Sequence, residues 1–208
     1  MHKESLTKDT ESVLEALGAS GIVKDLYLAG GTALALHLGH RVSVDLDWFS
    51  EDFKYNVTFR KELEKLGKLS IDSESENTFN GATNGVKISF FQYPYPLISA
   101  KIKYGQNIYL AGIPDIAVMK MEAIAGRGSY KDFIDVYFIL QDYSLEDILG
   151  FVKRKFSNID YNETHLLKSL TYFEDVKGTP KPKMIKEVSW QKITSTMEKE
   201  VESYIKRK

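Results

Sequence analysis

The hydrophobic period of this chain changes once, near residue 112, and that change limits the possible folds more than any other feature. Upstream, short apolar runs are separated by polar turns. Asp25 to Ala29 reads as a strand running into Gly30-Gly31, and residues 69–74, 77–81, 86–92 and 107–110 read as further strands. Asn84-Gly85 is a two-residue hairpin turn between two of them. Helical spacing over 4–18, 32–38 and 57–67 is interleaved with the strands. From Ile113 onward the period is helical throughout, over roughly 113–126, 130–141, 145–156, 162–173 and 189–206, broken by a Gly/Pro/Lys loop at 177–183. The expected fold is α+β: a mixed β-sheet with flanking helices, followed by a C-terminal helical bundle. The expected division is 1–112 and 113–208.

Composition removes several classes of function. The 208 residues include no cysteine, which excludes disulfides, thiolate zinc sites and cysteine nucleophiles. A net charge of −1 argues against a strongly basic, nonspecific nucleic-acid binder. The run Lys153-Arg154-Lys155 and the tail Ile205-Lys206-Arg207-Lys208 read as solvated faces. Met1 to Ser5 lacks the apolar core of a signal peptide, and no apolar run nears the roughly 20 residues of a membrane span. The expectation is a soluble, cytoplasmic protein with no membrane partner.

The chemistry is concentrated in one stretch. Val42 to Phe49 alternates, with Val42, Val44, Leu46 and Trp48 on one face and Ser43, Asp45 and Asp47 on the other. A strand would hold Asp45 and Asp47 about 7 Å apart on the same side. Two carboxylates so placed repel unless one is protonated or a cation lies between them. Mg2+ (or Mn2+) suits such oxygen ligands and keeps positions open for phosphate oxygens. Ahead of the pair, Gly30-Gly31-Thr32 joins a strand to a short helix. Glycines there permit positive φ and close approach of a phosphate, Thr32 can cap the helix, and the helix start is an anion site. Either element alone is also compatible with a solvated strand or a plain tight turn. Their order, with 14 residues from Gly31 to Asp45 by subtraction, would place a phosphate turn beside a metal strand.

A second group follows downstream. Lys120 and Arg127 are seven apart, on one helix face, where both can reach triphosphate oxygens. Asp132 and Asp135 share a face of the next helix and can hold those cations or take part in acid–base chemistry. The bland alternative is a salt-bridge network between two amphipathic helices.

Taken together, these motifs resemble the DNA polymerase β-type nucleotidyltransferases. Gly30-Gly31-Thr32-Ala33-Leu34 with Arg41-Val42-Ser43-Val44-Asp45-Leu46-Asp47, and then Lys120, Arg127 and Lys131-Asp132-Phe133-Ile134-Asp135, resemble the AbiEii/AbiGii toxin family. The resemblance spans about residues 25 to 140. It implies transfer of a nucleoside monophosphate from a nucleoside triphosphate to an acceptor hydroxyl. It also implies a toxin of a type IV toxin–antitoxin or abortive-infection pair, with a cognate antitoxin and RNA, tRNA included, as acceptor. In that reading Asp45 and Asp47 hold the metal, and Gly30, Gly31, Thr32, Arg41, Ser43 and Arg127 contact nucleotide or phosphate. Lys120, Asp132 and Asp135 complete the catalytic set. The superfamily usually carries a third carboxylate on a later strand. The matching strand here, Val86 to Phe91, has none, and Ser89 is the expected occupant of that place. A serine cannot take a proton as a carboxylate does. Small-molecule or protein acceptors, or a degenerate nucleotide-binding module acting by association, are the alternatives.

Other residues carry weaker signals. His37 and His40 read as helix-end residues, since no partner spacing argues for zinc. Trp48, Phe49 and the cluster Phe90, Phe91, Tyr93 and Tyr95 read as packing groups, with stacking on a base as the alternative for the cluster.

Overall fold

Thr7 starts the first long helix. Its hydroxyl accepts from the Thr10 amide at 3.2 Å, and Gly21, at φ 75°, ends the helix in a left-handed turn. The computed structural model describes all 208 residues. Helix α1 (Lys8–Ser20) leads to strand β1 (Tyr27–Leu28), helix α2 (Gly30–Leu38), strand β2 (Leu46–Ser50) and helix α3 (Val57–Glu64). Strands β3 (Leu69–Ser75), β4 (Thr78–Thr83) and β5 (Val86–Gln92) form a meander. A second hairpin of β6 (Ile102–Gly105) and β7 (Ile108–Leu110) follows. Asn84 and Gly85 both have positive φ (50° and 82°), as the predicted Asn-Gly turn between β4 and β5 requires.

The seven strands form one mixed sheet in the order β3-β4-β5-β2-β1-β7-β6, with β2 parallel to β5 and antiparallel to β1. Helices α4 (Ile113–Gly126), α5 (Tyr130–Ile139), α6 (Leu145–Lys155), α7 (Glu163–Leu170) and α8 (Trp190–Arg207) complete the chain. The α+β class and the change of period at residue 113 are therefore both observed. One connected set of buried side chains runs from Val13 in α1 to Tyr204 in α8. No helix is long and apolar enough to cross a membrane.

The register sorts β2 and its neighbours into two faces. Trp48, Phe90 and Phe79 stand side by side and are fully buried, with Phe59 of α3 edge-on to Phe90 at 4.9 Å. On the opposite face Asp47 stands beside Ser89 and Ser89 beside Asn80. Two residues further along, Phe49 stands beside Phe91 and beside Tyr27.

Four expectations need correction. The alternating segment from Val42 is not a strand before Leu46: Ser43 is buried and Val44 is 47% exposed. The backbone there leaves the sheet because other segments take its hydrogen bonds. The Val42 amide donates to the Lys183 carbonyl (2.8 Å) and the Ser43 amide to the Ser5 carbonyl (2.9 Å). Strand β1 is shorter than predicted, since helix α2 begins at Gly30 itself. Strand β6 was not predicted: its Ile102 and Lys103 are exposed, so it has no alternating signature. Finally, Thr32 is not a helix cap. Ala29 holds that position without a side-chain bond, and Thr32 is buried inside the first turn.

Candidate active site

The end of β1, the start of α2 and the entry to β2 meet at the two glycines. Gly30 has φ 62°, and a Cβ there would lie 3.0 Å from Asp47 Oδ2. At Gly31 a Cβ would overlap the Arg41 guanidinium. The glycine pair is thus required by what packs against it, as well as by backbone angle. Thr32 Oγ1 donates to the Asp45 carbonyl and pairs with Ser43 Oγ at 2.8 Å. That contact fixes the segment carrying Asp45 against the first turn of α2.

Behind the turn lies a buried ionic network. Asp135, fully buried in α5, accepts from Arg41 Nε at 2.7 Å and Arg41 Nη2 at 2.9 Å, a bidentate fork. It also accepts from His40 Nε2 at 2.7 Å and pairs with Lys120 Nζ at 2.7 Å. Lys120 Nζ donates to Asp132 Oδ1 at 2.9 Å, and Asp132 Oδ2 accepts from the hydroxyl of Ser129, the residue that caps α5. Two cations and two carboxylates thus balance one another. Burial alone would push the Asp135 carboxyl up, but Arg41 and Lys120 hold it well below the usual range. Burial would likewise raise Asp132, and Lys120 and Ser129 outweigh it. For His40 burial wins and lowers the imidazole despite Asp135.

In front of the turn the charges do not balance. Burial, and then the neighbouring Asp45, raise the Asp47 carboxyl above its ordinary value. Lys131 Nζ stands 3.3 Å from Asp45 Oδ2, and both side chains are about one-third exposed (38% and 34%). Ser89 lies across from Asp47 in the register, in the place where the superfamily carries a third acid, and its hydroxyl partly offsets the rise of the Asp47 carboxyl. No group of three acidic or histidine side chains converges here to hold a metal alone. The donor set is two adjacent carboxylates, one with an elevated affinity for positive charge. That set fits a hard cation whose other positions are filled by water and phosphate oxygens.

These residues open onto two adjoining clefts. The first, about 610 Å³, is lined by Gly30, Gly31, Asp47, Ser89, Lys120 and Arg127 and is continued by the aromatic residues Phe49, Phe91 and Tyr93. The second, about 380 Å³, has only polar, charged, glycine and proline walls, among them Ser43, Asp45, Lys131 and Thr179. A third, apolar hollow of about 380 Å³ between α4, α6 and α7 lies to one side of this chemistry.

Of the residues singled out in the sequence, Gly30, Gly31, Arg41, Ser43, Asp45, Asp47, Lys120, Arg127 and Asp132 line the clefts, whereas Thr32 and Asp135 support them from behind. Several expected contacts differ. Arg127 is not on the helix face of Lys120, because α4 ends at Gly126. Asp132 and Asp135 hold Lys120 as expected, but the second cation they serve is Arg41, not Arg127. Arg41 and Lys120 are 2% and 8% exposed and paired with buried carboxylates, and both reach the wall of the polar cleft. The more accessible cations are Arg127, which is exposed, and Lys131, which is half-buried. His40, read as a helix-end residue, is a buried member of the network; its place next to Arg41 was the available signal. Lys155, read as part of a solvated run, is buried and donates to Asp115 at 2.8 Å. The Lys177–Lys183 loop was not connected with the site, yet Thr179 and Pro180 edge the polar cleft.

Known proteins resemble this chain in both sequence and fold. Residues 12–105 match the family model described as nucleotidyl transferase AbiEii toxin, type IV TA system. An uncharacterized protein of Aquifex aeolicus (strain VF5), aq_aa25, is 37% identical over 205 residues, covering 96% of this chain and 98% of its own. The crystal structure of JHP933 from Helicobacter pylori shares the fold over 97% of this chain and 94% of its own, at 18% identity and a TM-score of 0.58. MenT4, nucleotidyltransferase toxin Rv2826c from Mycobacterium tuberculosis H37Rv, aligns over 94% and 84% of the two chains at 12% identity and a TM-score of 0.47. The segment that matches the AbiEii nucleotidyltransferase toxin model, residues 12–105, contains both the glycine turn and the aspartate pair.

Proposed function

We propose that the two clefts transfer a nucleoside monophosphate from a nucleoside triphosphate to an acceptor hydroxyl, releasing pyrophosphate. The observation that carries this reading is convergence. The Gly30-Gly31 turn, the Asp45/Asp47 pair and the more accessible cations Arg127 and Lys131 come from separate segments and face the same polar space. A magnesium or manganese ion held by Asp45 and Asp47 supplies Lewis-acid polarisation of the reacting phosphate.

The remaining work falls to the chain. The amides at the start of α2, left without a side-chain cap, receive phosphate oxygens. Arg127 and Lys131 neutralise the outer phosphates, and Lys131 leaves Asp45 to do so. Arg41 and Lys120 hold the turn and α5 in position through Asp135. The acceptor hydroxyl attacks the α-phosphorus and gives its proton to water in the cleft, the bond from the α-phosphorus to the α,β-bridging oxygen breaks, and pyrophosphate leaves along the polar cleft.

RNA, tRNA included, is the proposed acceptor, and the proposed setting is a type IV toxin with a cognate antitoxin in the cytoplasm. The test is incubation with labelled nucleoside triphosphates, magnesium and total RNA. Labelled RNA is expected from the wild type and none from Asp45→Ala or Asp47→Ala. Unchanged labelling in those variants would sink the proposal, and labelling confined to small molecules or protein would reassign the acceptor. Ser89 beside Asp47 favours one second reading, a nucleotide-binding module without turnover. Triphosphate binding by calorimetry with no labelled product in any acceptor mixture would support that one instead.

A further inference from the structure

The larger cleft extends well past the phosphate end, and its far wall is chemically specific. Along β2, Asp47 and Phe49 are two residues apart on one face, about 7 Å. Phe49 stacks on Phe91 at 5.3 Å, with planes 28° apart, and both line the cleft. Tyr93 stands edge-on to Phe49 at 5.9 Å. Its ring is wedged against Tyr95 at 4.9 Å, and Lys155 Nζ lies 5.1 Å from its centre. That packing aims the Tyr93 hydroxyl at Glu122 of α4, where it donates to Oε2 at 2.6 Å. The path from the phosphate end is therefore acid pair, aromatic platform, then a tyrosine–glutamate pair at the edge.

We propose that Glu122, held by Tyr93, reads the base of the bound triphosphate and selects bases with an amino group on the pairing edge against uracil. The proposal rests on the nucleotide-binding reading above. With phosphates at Gly30-Gly31 and Asp47, the ribose lies over Ser89 and the base over Phe49 and Phe91. The pairing edge of the base then meets Glu122. A carboxylate only accepts hydrogen bonds. The Tyr93 proton is already given to Glu122, so the tyrosine oxygen also presents lone pairs. Adenine, cytosine and guanine each bring an amino donor to such a wall. Uracil brings two carbonyls around a single N–H, so acceptor faces acceptor.

The test is equilibrium binding of ATP, CTP, GTP and UTP, with inorganic tripolyphosphate as the base-free probe. The proteins are the wild type, Glu122→Gln and Tyr93→Phe. In the wild type, UTP is expected to bind about tenfold more weakly than the best of the other three. Glu122→Gln introduces an amide donor and is expected to bring UTP to within about twofold of that nucleotide. Tyr93→Phe frees Glu122 and is expected to shrink the difference partway. Tripolyphosphate affinity stays the same in all three proteins. Equal affinity for the four nucleotides in the wild type overturns the inference and leaves the phosphate site standing. An equal loss for all four in Glu122→Gln, with their order unchanged, also overturns it, because that is what a structural role predicts. Failure of every triphosphate and of tripolyphosphate to bind overturns both readings.

Discussion

The charges behind the Gly30-Gly31 turn and those in front of it are organised in opposite ways. Behind it, Asp135 and Asp132 face Arg41 and Lys120, every carboxylate has a cation, and the group is shut away from water. In front, Asp45 and Asp47 stand together with one partly exposed lysine between them and solvent. The first arrangement fixes a shape, since each of its charges is already met by an opposite one. The second leaves an unmet demand for positive charge at the place where a nucleotide would enter. Substitutions that disturb one cluster and spare the other can test the distinction.

The largest effect should come from the balanced side. Asp135→Ala leaves Arg41 and Lys120 buried with one carboxylate between them, which costs about 3–5 kcal/mol of stability. Urea unfolding at pH 7 measures it, and a loss under about 1 kcal/mol would show that the network is not structural. On the unbalanced side, Asp47→Asn should reduce transfer by at least about 100-fold through loss of the metal position. The same variant should be more stable than the wild type in metal-free buffer. The folded pKa of Asp47 is raised, so its favourable contribution exists below the unfolded value near 3.8 and is lost as pH rises through the folded value. Above the folded value the ionised group is a net cost, and removing it should raise the melting temperature. A lower melting temperature would mean that the pair is not repulsive.

Ser89→Asp asks whether the front cluster lacks a base. A third carboxylate beside Asp47 should raise turnover about 100-fold, the lower end of what a positioned general base contributes. An unchanged or lower rate, with triphosphate affinity retained, would argue that the proton leaves by another route. The smallest expected effect concerns His40. Burial lowers its folded pKa and Asp135 only partly restores it, and its Nδ1 has no partner in the buried network. For a lowered histidine, stability is full above the unfolded value near 6.5 and declines as pH falls from there towards the folded value. Melting temperatures between pH 7 and 5 should show that decline in the wild type, and a flatter profile in His40→Gln.

Much of this was legible in the sequence because it depends on local pattern. Asn84-Gly85 dictates a hairpin by its φ angles, and the spacing of Ile116, Lys120, Met121 and Ile124 dictates a helix. The glycine turn and the aspartate pair are near neighbours along the chain, so their order was visible at once. The pairing of Arg41 with Asp135 was not legible, because the two are 94 residues apart. Tyr93 was legible as part of an aromatic cluster able to stack on a base, but its partner Glu122, 29 residues away, gave no sequence signal. Lys155 looked solvated because its neighbours Lys153 and Arg154 are, and only the packing of α6 on α4 turns it inward to Asp115.

The sequence by itself determined the class of fold, the strand–glycine–helix–strand order and the residues around which the site is built. All of these follow from steric and periodic constraints acting over a few residues. Only the tertiary structure decided which charges would be saturated and which left open. That outcome depends on which side chains from distant segments arrive in the same volume, and how much water comes with them. Arg41 and Lys120 met buried carboxylates and became scaffold. Arg127 and Lys131, beside the same cleft, remained more accessible.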